Sequence, residues 1–143
     1  MLGRFQHVDT RLGRDAGKTM AKFVNMLDVP RLYSQNDARF RYEAVKEDVL
    51  GLKNICGEIV VYPPGAEGAS HHHVGTEHLF YITEGRGTMV VDDVAHEVKA
   101  GDFVSVFDGE RHWFRNHTQE TFAFLELFAP VKYKTIWDNP DLK

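Results

Sequence analysis

Gly65-Ala-Glu-Gly-Ala-Ser-His71-His72-His73-Val-Gly-Thr-Glu77-His78-Leu-Phe-Tyr-Ile-Thr-Glu-Gly85 places four histidines within eight residues and then continues as an alternating apolar strand. Neutral imidazole nitrogen suits transition metals such as zinc, iron, copper, nickel and manganese. Alternate residues of a strand project to one face, so His71 and His73 can share an ion while His72 points the other way.

A second stretch returns a further histidine, 34 residues past His78: Gly101-Asp-Phe-Val-Ser-Val-Phe107-Asp-Gly109-Glu-Arg-His112-Trp-Phe-Arg-Asn116. Together the two stretches resemble the paired motifs of the cupin superfamily. The first motif reads Gly, five residues, His-x-His, three or four residues, Glu, six residues, Gly. The second reads Gly, five residues, Pro-x-Gly, two residues, His, three residues, Asn. Gly65, His71, His73 and Gly85 fall on the first, and Gly101, Gly109, His112 and Asn116 on the second. The resemblance covers roughly residues 56 to 130 and implies an all-β jelly-roll barrel, the double-stranded β-helix, in one domain.

Two positions depart from the pattern. Phe107 occupies the place of the second-motif proline, which should cost the turn some rigidity. At the glutamate position, three residues from His73 lead to Glu77, whereas six residues back from Gly85 lead to His78. Only His78 satisfies both halves. Alternation agrees, because His78, Phe80 and Ile82 share one face and Glu77, Leu79 and Tyr81 the other. The expected ligand set is therefore His71, His73, His78 and His112, like the all-histidine minority of cupins. Glu77 remains the fallback ligand, or a hydrogen-bond partner for a ligand histidine.

One divalent transition ion per chain (iron, manganese, copper, nickel or zinc) is implied. Four neutral imidazoles leave such an ion near a charge of +2, whereas a glutamate would lower it. A stronger Lewis acid favours substrates that arrive as oxyanions or enols and chelate through neighbouring oxygens. Phe80, Ile82, Phe114 and Asn116 are expected to line the pocket, from strand alternation. Such an apolar wall around a polar centre is the usual composition of a small-molecule site. With His78 in the glutamate position the sequence offers no obvious proton-transfer group, only Glu77, Glu58 or Tyr62. That favours dioxygenase-type oxidation or cleavage over redox-neutral isomerase, lyase or decarboxylase chemistry. A binding or sensing pocket without turnover is the non-catalytic alternative.

The 143 residues, 43% apolar and 27% charged, fit a single globular domain. A formal charge of −4 does not provide the basic face that nucleic acid requires. No apolar run reaches the roughly 18 residues of a membrane span. The first residues show no export signal, and one cysteine, Cys56, excludes an intramolecular disulfide, so a cytoplasmic setting is expected. Cys56 reads as an inert thiol on a strand.

Short strands separated by turns run from residue 39 to 130, the expected barrel. Residues 1–38 form an amino-terminal extension in which Thr19 to Leu27 can be read as a strand. The extension is expected either to exchange between subunits of a homodimer or to cap the site. Residues 131–143 form a tail whose aromatics, Tyr133 and Trp137, would pack on the barrel or on a partner.

Overall fold

The computed structural model describes residues 21–142. Eleven strands lie among them: β1 Arg31–Tyr33, β2 Phe40–Val45, β3 Cys56–Tyr62, β4 His71–Val74, β5 Glu77–Glu84, β6 Arg86–Val91, β7 Val94–Lys99, β8 Phe103–Val106, β9 His112–Arg115, β10 Phe122–Ala129 and β11 Lys134–Trp137. They form two antiparallel sheets, ordered β1-β2-β3-β10-β5-β8 and β11-β4-β9-β6-β7. This is the expected jelly roll. One short helix, Glu47–Leu50, closes on Gly51, and no helix among the described residues is long and apolar enough to cross a membrane.

Strand alternation builds the interior. Phe80 and Ile82 on β5, Phe122 and Phe124 on β10, Met89 on β6, Val106 on β8 and Phe114 on β9 pack into one core. Most of these side chains are 0–3% exposed. Each such side chain contributes about 1.5–3 kcal/mol on leaving water. Phe114 stacks on Phe124 at 4.3 Å, locking the two sheets face to face. Phe80, Phe114 and Phe124 of this core also line a cavity between the sheets' inner faces and the residues around them.

The motif glycines and asparagine hold loops together. Gly85 sits at φ +67, and a Cβ there would lie 2.1 Å from the Thr121 carbonyl oxygen. Gly65 N–H donates to the Asn116 carbonyl at 2.9 Å, and Asn116 N–H donates to Ala66 at 2.9 Å. Gly85→Ala is therefore expected to lower the unfolding free energy by about 1–3 kcal/mol in a urea titration. An unchanged midpoint would show that the close approach is not obligatory.

Asp92 and Asp93 both adopt left-handed φ, +45 and +68, giving the tight hairpin expected between β6 and β7. Phe107, in the proline position, uses the N–H that proline lacks: it donates to Glu110 Oε2 at 2.7 Å, and Glu110 N–H returns to Phe107 O at 3.1 Å. The turn before His112 is thus held by hydrogen bonds instead of a ring.

Three details differ from the sequence reading. Residues 21–27 contain no strand; Asn25 caps a 3-10 turn at Met26–Asp28 by accepting from Leu27 N–H at 2.9 Å. That local bond competes with strand formation. The strand near this end is instead Arg31–Tyr33, which pairs with β2. Beyond the barrel, the tail is a strand, β11, paired along β4. Strand exchange or capping by residues 1–20 falls outside the described residues.

Candidate metal centre

His71 and His73 project the same way from β4, and His112 is the register partner of His71 on β9. One nitrogen from each of these three histidines lies within 4.8 Å of the other two. Their hydrogen bonds determine which nitrogen is free. His71 Nδ1 faces the Ala69 carbonyl at 2.8 Å and His112 Nδ1 the Glu110 carbonyl at 3.0 Å. A carbonyl only accepts, so each Nδ1 carries the proton and each Nε2 keeps its lone pair. His73 Nδ1 lies 3.0 Å from Thr135 Oγ1 on β11. Among the described residues, the Nε2 atoms of His73 and His112 are buried without a partner.

His78 is oriented differently. Its Nε2 lies 3.0 Å from Glu126 Oε2, so the carboxylate accepts and Nδ1 is the other nitrogen, buried and without a partner among the described residues. The ring stacks on Phe128 at 3.9 Å and on Phe80 at 4.0 Å. Its centre is 5.1 Å from that of His73 and 5.3 Å from that of His112.

Behind His78 stands a carboxyl pair. Glu126 on β10 is directly opposite Glu58 on β3, which sets the two carboxyls side by side and close enough to interact. Both keep limited exposure, 14% and 21%, and both line the cavity. Arg41 Nε lies 3.1 Å from Glu58 and 3.2 Å from Glu43, and Lys46 pairs with Glu43. The cavity encloses about 580 Å³. His71, His73 and His112 form part of its wall, with Phe80, Phe114, Phe128, Tyr133 and Trp137 among the rings around them.

Residues 58–128 match the Cupin domain family. Over 99 residues the chain is 36% identical to the uncharacterized protein MJ1618 of Methanocaldococcus jannaschii, covering 68% of this chain and 78% of that one. This chain is a cupin. Among solved structures, a sugar phosphate isomerase of the superfamily from Silicibacter pomeroyi superposes with a TM-score of 0.72 at 20% identity, over 83% of each chain. The polyketide cyclase RemF from Streptomyces resistomycificus also gives 0.72, at 21% identity, over 85% of this chain and 89% of that one. At such identities the likeness is one of fold.

The donor set of the cupin suits a transition ion. Burial, and after it the neighbouring imidazoles, hold His73 neutral, its pKa pushed down to about 2. Burial and then His71 push His78 down to about 3, and the same two causes act on His112, also at about 3. Convergent neutral imidazoles with unpartnered lone pairs are what such an ion binds, and each unpartnered buried nitrogen otherwise costs about 1–3 kcal/mol. The carboxyl pair is shifted the other way. Burial, reinforced by Glu126, raises the pKa of Glu58, and burial raises that of Glu126.

The expected site residues are distributed unevenly. His71, His73 and His112 converge, and Phe80 and Phe114 line the cavity as read from the sequence. His78 is buried at 2% exposure with its ring packed against Phe80 and Phe128; among the described residues it belongs neither to the converging group nor to the cavity wall, so three of the four expected histidines come together. Ile82 lies in the packed core, not on the cavity wall. Asn116 braces loops: its Nδ2 donates to the carbonyls of Tyr62 and Glu120, both at 2.8 Å. Glu77 is exposed on the opposite face of β5, so it can neither ligate an ion here nor orient a ligand. The carboxylate that orients a histidine is Glu126. Strand alternation carried that signal, since Glu126 shares a face with Phe122, Phe124 and Phe128 in β10.

Thr135 was likewise missed. Thr135→Val removes the oxygen that faces His73 Nδ1 while keeping side-chain volume. It is expected to weaken metal affinity by about 10- to 100-fold, the usual cost of losing such a partner. Competition with a chromogenic chelator measures it, and unchanged affinity would show that packing alone orients His73.

Proposed function

We propose that this cupin is a metal-dependent enzyme that moves a proton on an enolisable carbonyl or phenolic compound without net oxidation, a reaction of the isomerase or cyclase kind. His71, His73 and His112 hold the ion through Nε2, and His78 adds Nδ1 as a fourth ligand. When bound, the ion supplies a Lewis acid that polarises a substrate oxygen.

The observation that carries this reading is the Glu58–Glu126 pair on the wall of the same cavity as the histidines. Two facing carboxyls that share one proton offer both a base and an acid. The ionised member takes a proton from the carbon beside the carbonyl. The protonated member returns one to a different carbon or to oxygen, so the pair ends with the proton count it began with. Arg41, between Glu43 and Glu58, favours one negative charge on the pair. The aromatic wall excludes water, so an enolate is not reprotonated at random.

An oxygenase that receives a preformed enolate needs no such pair. The names of two structural relatives, a sugar phosphate isomerase and a polyketide cyclase, are consistent with redox-neutral chemistry, although their likeness is one of fold. The test is to incubate the metal-loaded protein with an enolisable hydroxyketone in D2O without oxygen. Deuterium should enter beside the carbonyl faster than in a protein-free control. No exchange in this mixture, together with oxygen consumption when the same mixture is aerated, would overturn the reading in favour of oxidation.

A further inference from the structure

Charge and shape of the cavity wall restrict what the site can hold. Among the described residues, three cations line it: Arg39, Arg41 and Lys46. Each is already engaged. Arg39 Nε reaches both oxygens of Asp37, at 2.8 and 2.7 Å, and its Nη1 donates to the Tyr62 hydroxyl at 3.3 Å. Arg41 lies between Glu43 and Glu58, and Lys46 also pairs with Glu43. Apart from the ion itself, a phosphate or dicarboxylate entering this cavity would find no uncommitted side-chain cation and would face Glu43, Glu58 and Glu126, whereas an uncharged hydroxyl–carbonyl pair can reach the ion without carrying a second negative charge past them. Taking Arg39 or Arg41 from its partner would leave a partly buried carboxylate uncompensated, which is costly.

The wall offers aromatic surface instead. Tyr133 stacks on Phe128 at 4.6 Å and 12°, and Phe128 stacks on His78 at 3.9 Å and 24°, forming a layered row at the metal-facing end. On the other side of the histidines Trp137 packs on His71 at 4.7 Å. A cavity of about 580 Å³ lies within the range of roughly 300–1,000 Å³ that encloses drug-sized ligands. It is larger than a single-ring or three-carbon substrate requires.

We infer that the substrate is an uncharged, planar, fused-ring compound carrying a hydroxyl and a carbonyl on neighbouring positions, and that phosphate esters and dicarboxylates are excluded. This deepens the proposed function, on which it rests only in taking the cavity as the substrate site. The oxygen pair would face His71, His73 and His112, and the rings would lie along Tyr133 and Trp137, with Phe128 held between Tyr133 and His78 as backing.

The experiment is calorimetric titration of the metal-loaded full chain with four probes: 1,8-dihydroxyanthraquinone, salicylaldehyde, glucose 6-phosphate and oxalate. The anthraquinone should bind at least about 10-fold more tightly than salicylaldehyde, which presents the same oxygen pair on one ring. Aromatic contacts contribute about 0.5–1.5 kcal/mol each, so Tyr133→Leu should weaken the anthraquinone by roughly 3- to 10-fold and leave salicylaldehyde unchanged. Trp137→Leu is a second variant should the first not fold. Glucose 6-phosphate or oxalate binding as tightly as the anthraquinone would overturn the inference, as would equal affinity for one ring and three. Fused-ring binding without proton exchange on any ketone would sink the proposed reaction and leave this inference standing. Exchange on small hydroxyketones with no ring preference would do the reverse.

Discussion

Exchange of His112 for alanine is expected to strip the metal from this cupin, weakening retention by more than about 100-fold, since loss of a mere hydrogen-bond partner of a ligand already costs 10- to 100-fold. His112 is 1% exposed and its Nε2 has no partner among the described residues. It is also the one member of the group that comes from β9, so no neighbouring side chain can take its place. His78→Ala should weaken retention less, by about 10-fold, because the remaining three histidines already converge within 4.8 Å. Glu77→Ala should do nothing, its carboxylate being on the opposite face of β5. Elemental analysis of the purified variants, followed by chelator competition, measures all three. Full retention in His78→Ala would reduce the site to three histidines and leave His78 as the partner of Glu126 alone. Loss of metal in Glu77→Ala would refute the register on which the site is built.

The fold was legible in the sequence because its signals are local. His71 and His73 alternate on one strand, glycines mark the turns at Gly85 and Gly101, and the Asp92-Asp93 pair makes a two-residue hairpin. The likeness of the two motifs to those of cupins implied that His112 would join His71 and His73, and His112 is the register partner of His71. The parts that were not legible depend on which strands become neighbours. Glu126 and Glu58 lie 68 residues apart and meet because β10 runs between β3 and β5. Each carried a local sign, a glutamate on the apolar face of a strand, but nothing local said that the two faces would meet beside His78. The tail shows the same limit. Tyr133, Thr135 and Trp137 alternate inward, yet their place against the histidines follows from β11 pairing with β4. Asn116 was misplaced for a different reason: alternation gives it an inward direction, while its four hydrogen bonds to Tyr62, Glu120 and Thr118 consume it in loop closure.

The largest catalytic effect is expected from the carboxyl pair. Glu126→Gln keeps the shape of the side chain and an oxygen that can still accept from His78 Nε2, but it removes the capacity to take up a proton. Turnover should fall by about 10²- to 10⁴-fold, the usual contribution of a positioned acid or base, with metal content unchanged. Glu58→Gln should fall within the same range if the two carboxyls work as one unit, and the double variant should then be little worse than either single one. Additive losses would mean that the two act in separate steps. Glu58→Gln also has a signature outside catalysis. Burial and Glu126 raise the pKa of Glu58 above its unfolded value, so the folded chain holds a proton that the unfolded chain releases. The associated stability is fully present below the unfolded value of about 4.3 and is lost as pH rises toward the raised folded value. Wild-type stability should therefore decline with pH above that point, and Glu58→Gln should decline less steeply. Parallel slopes in urea titrations across that range would show that Glu58 ionises as readily in the cavity as in water, and the shared proton on which the acid–base reading depends would be lost with it.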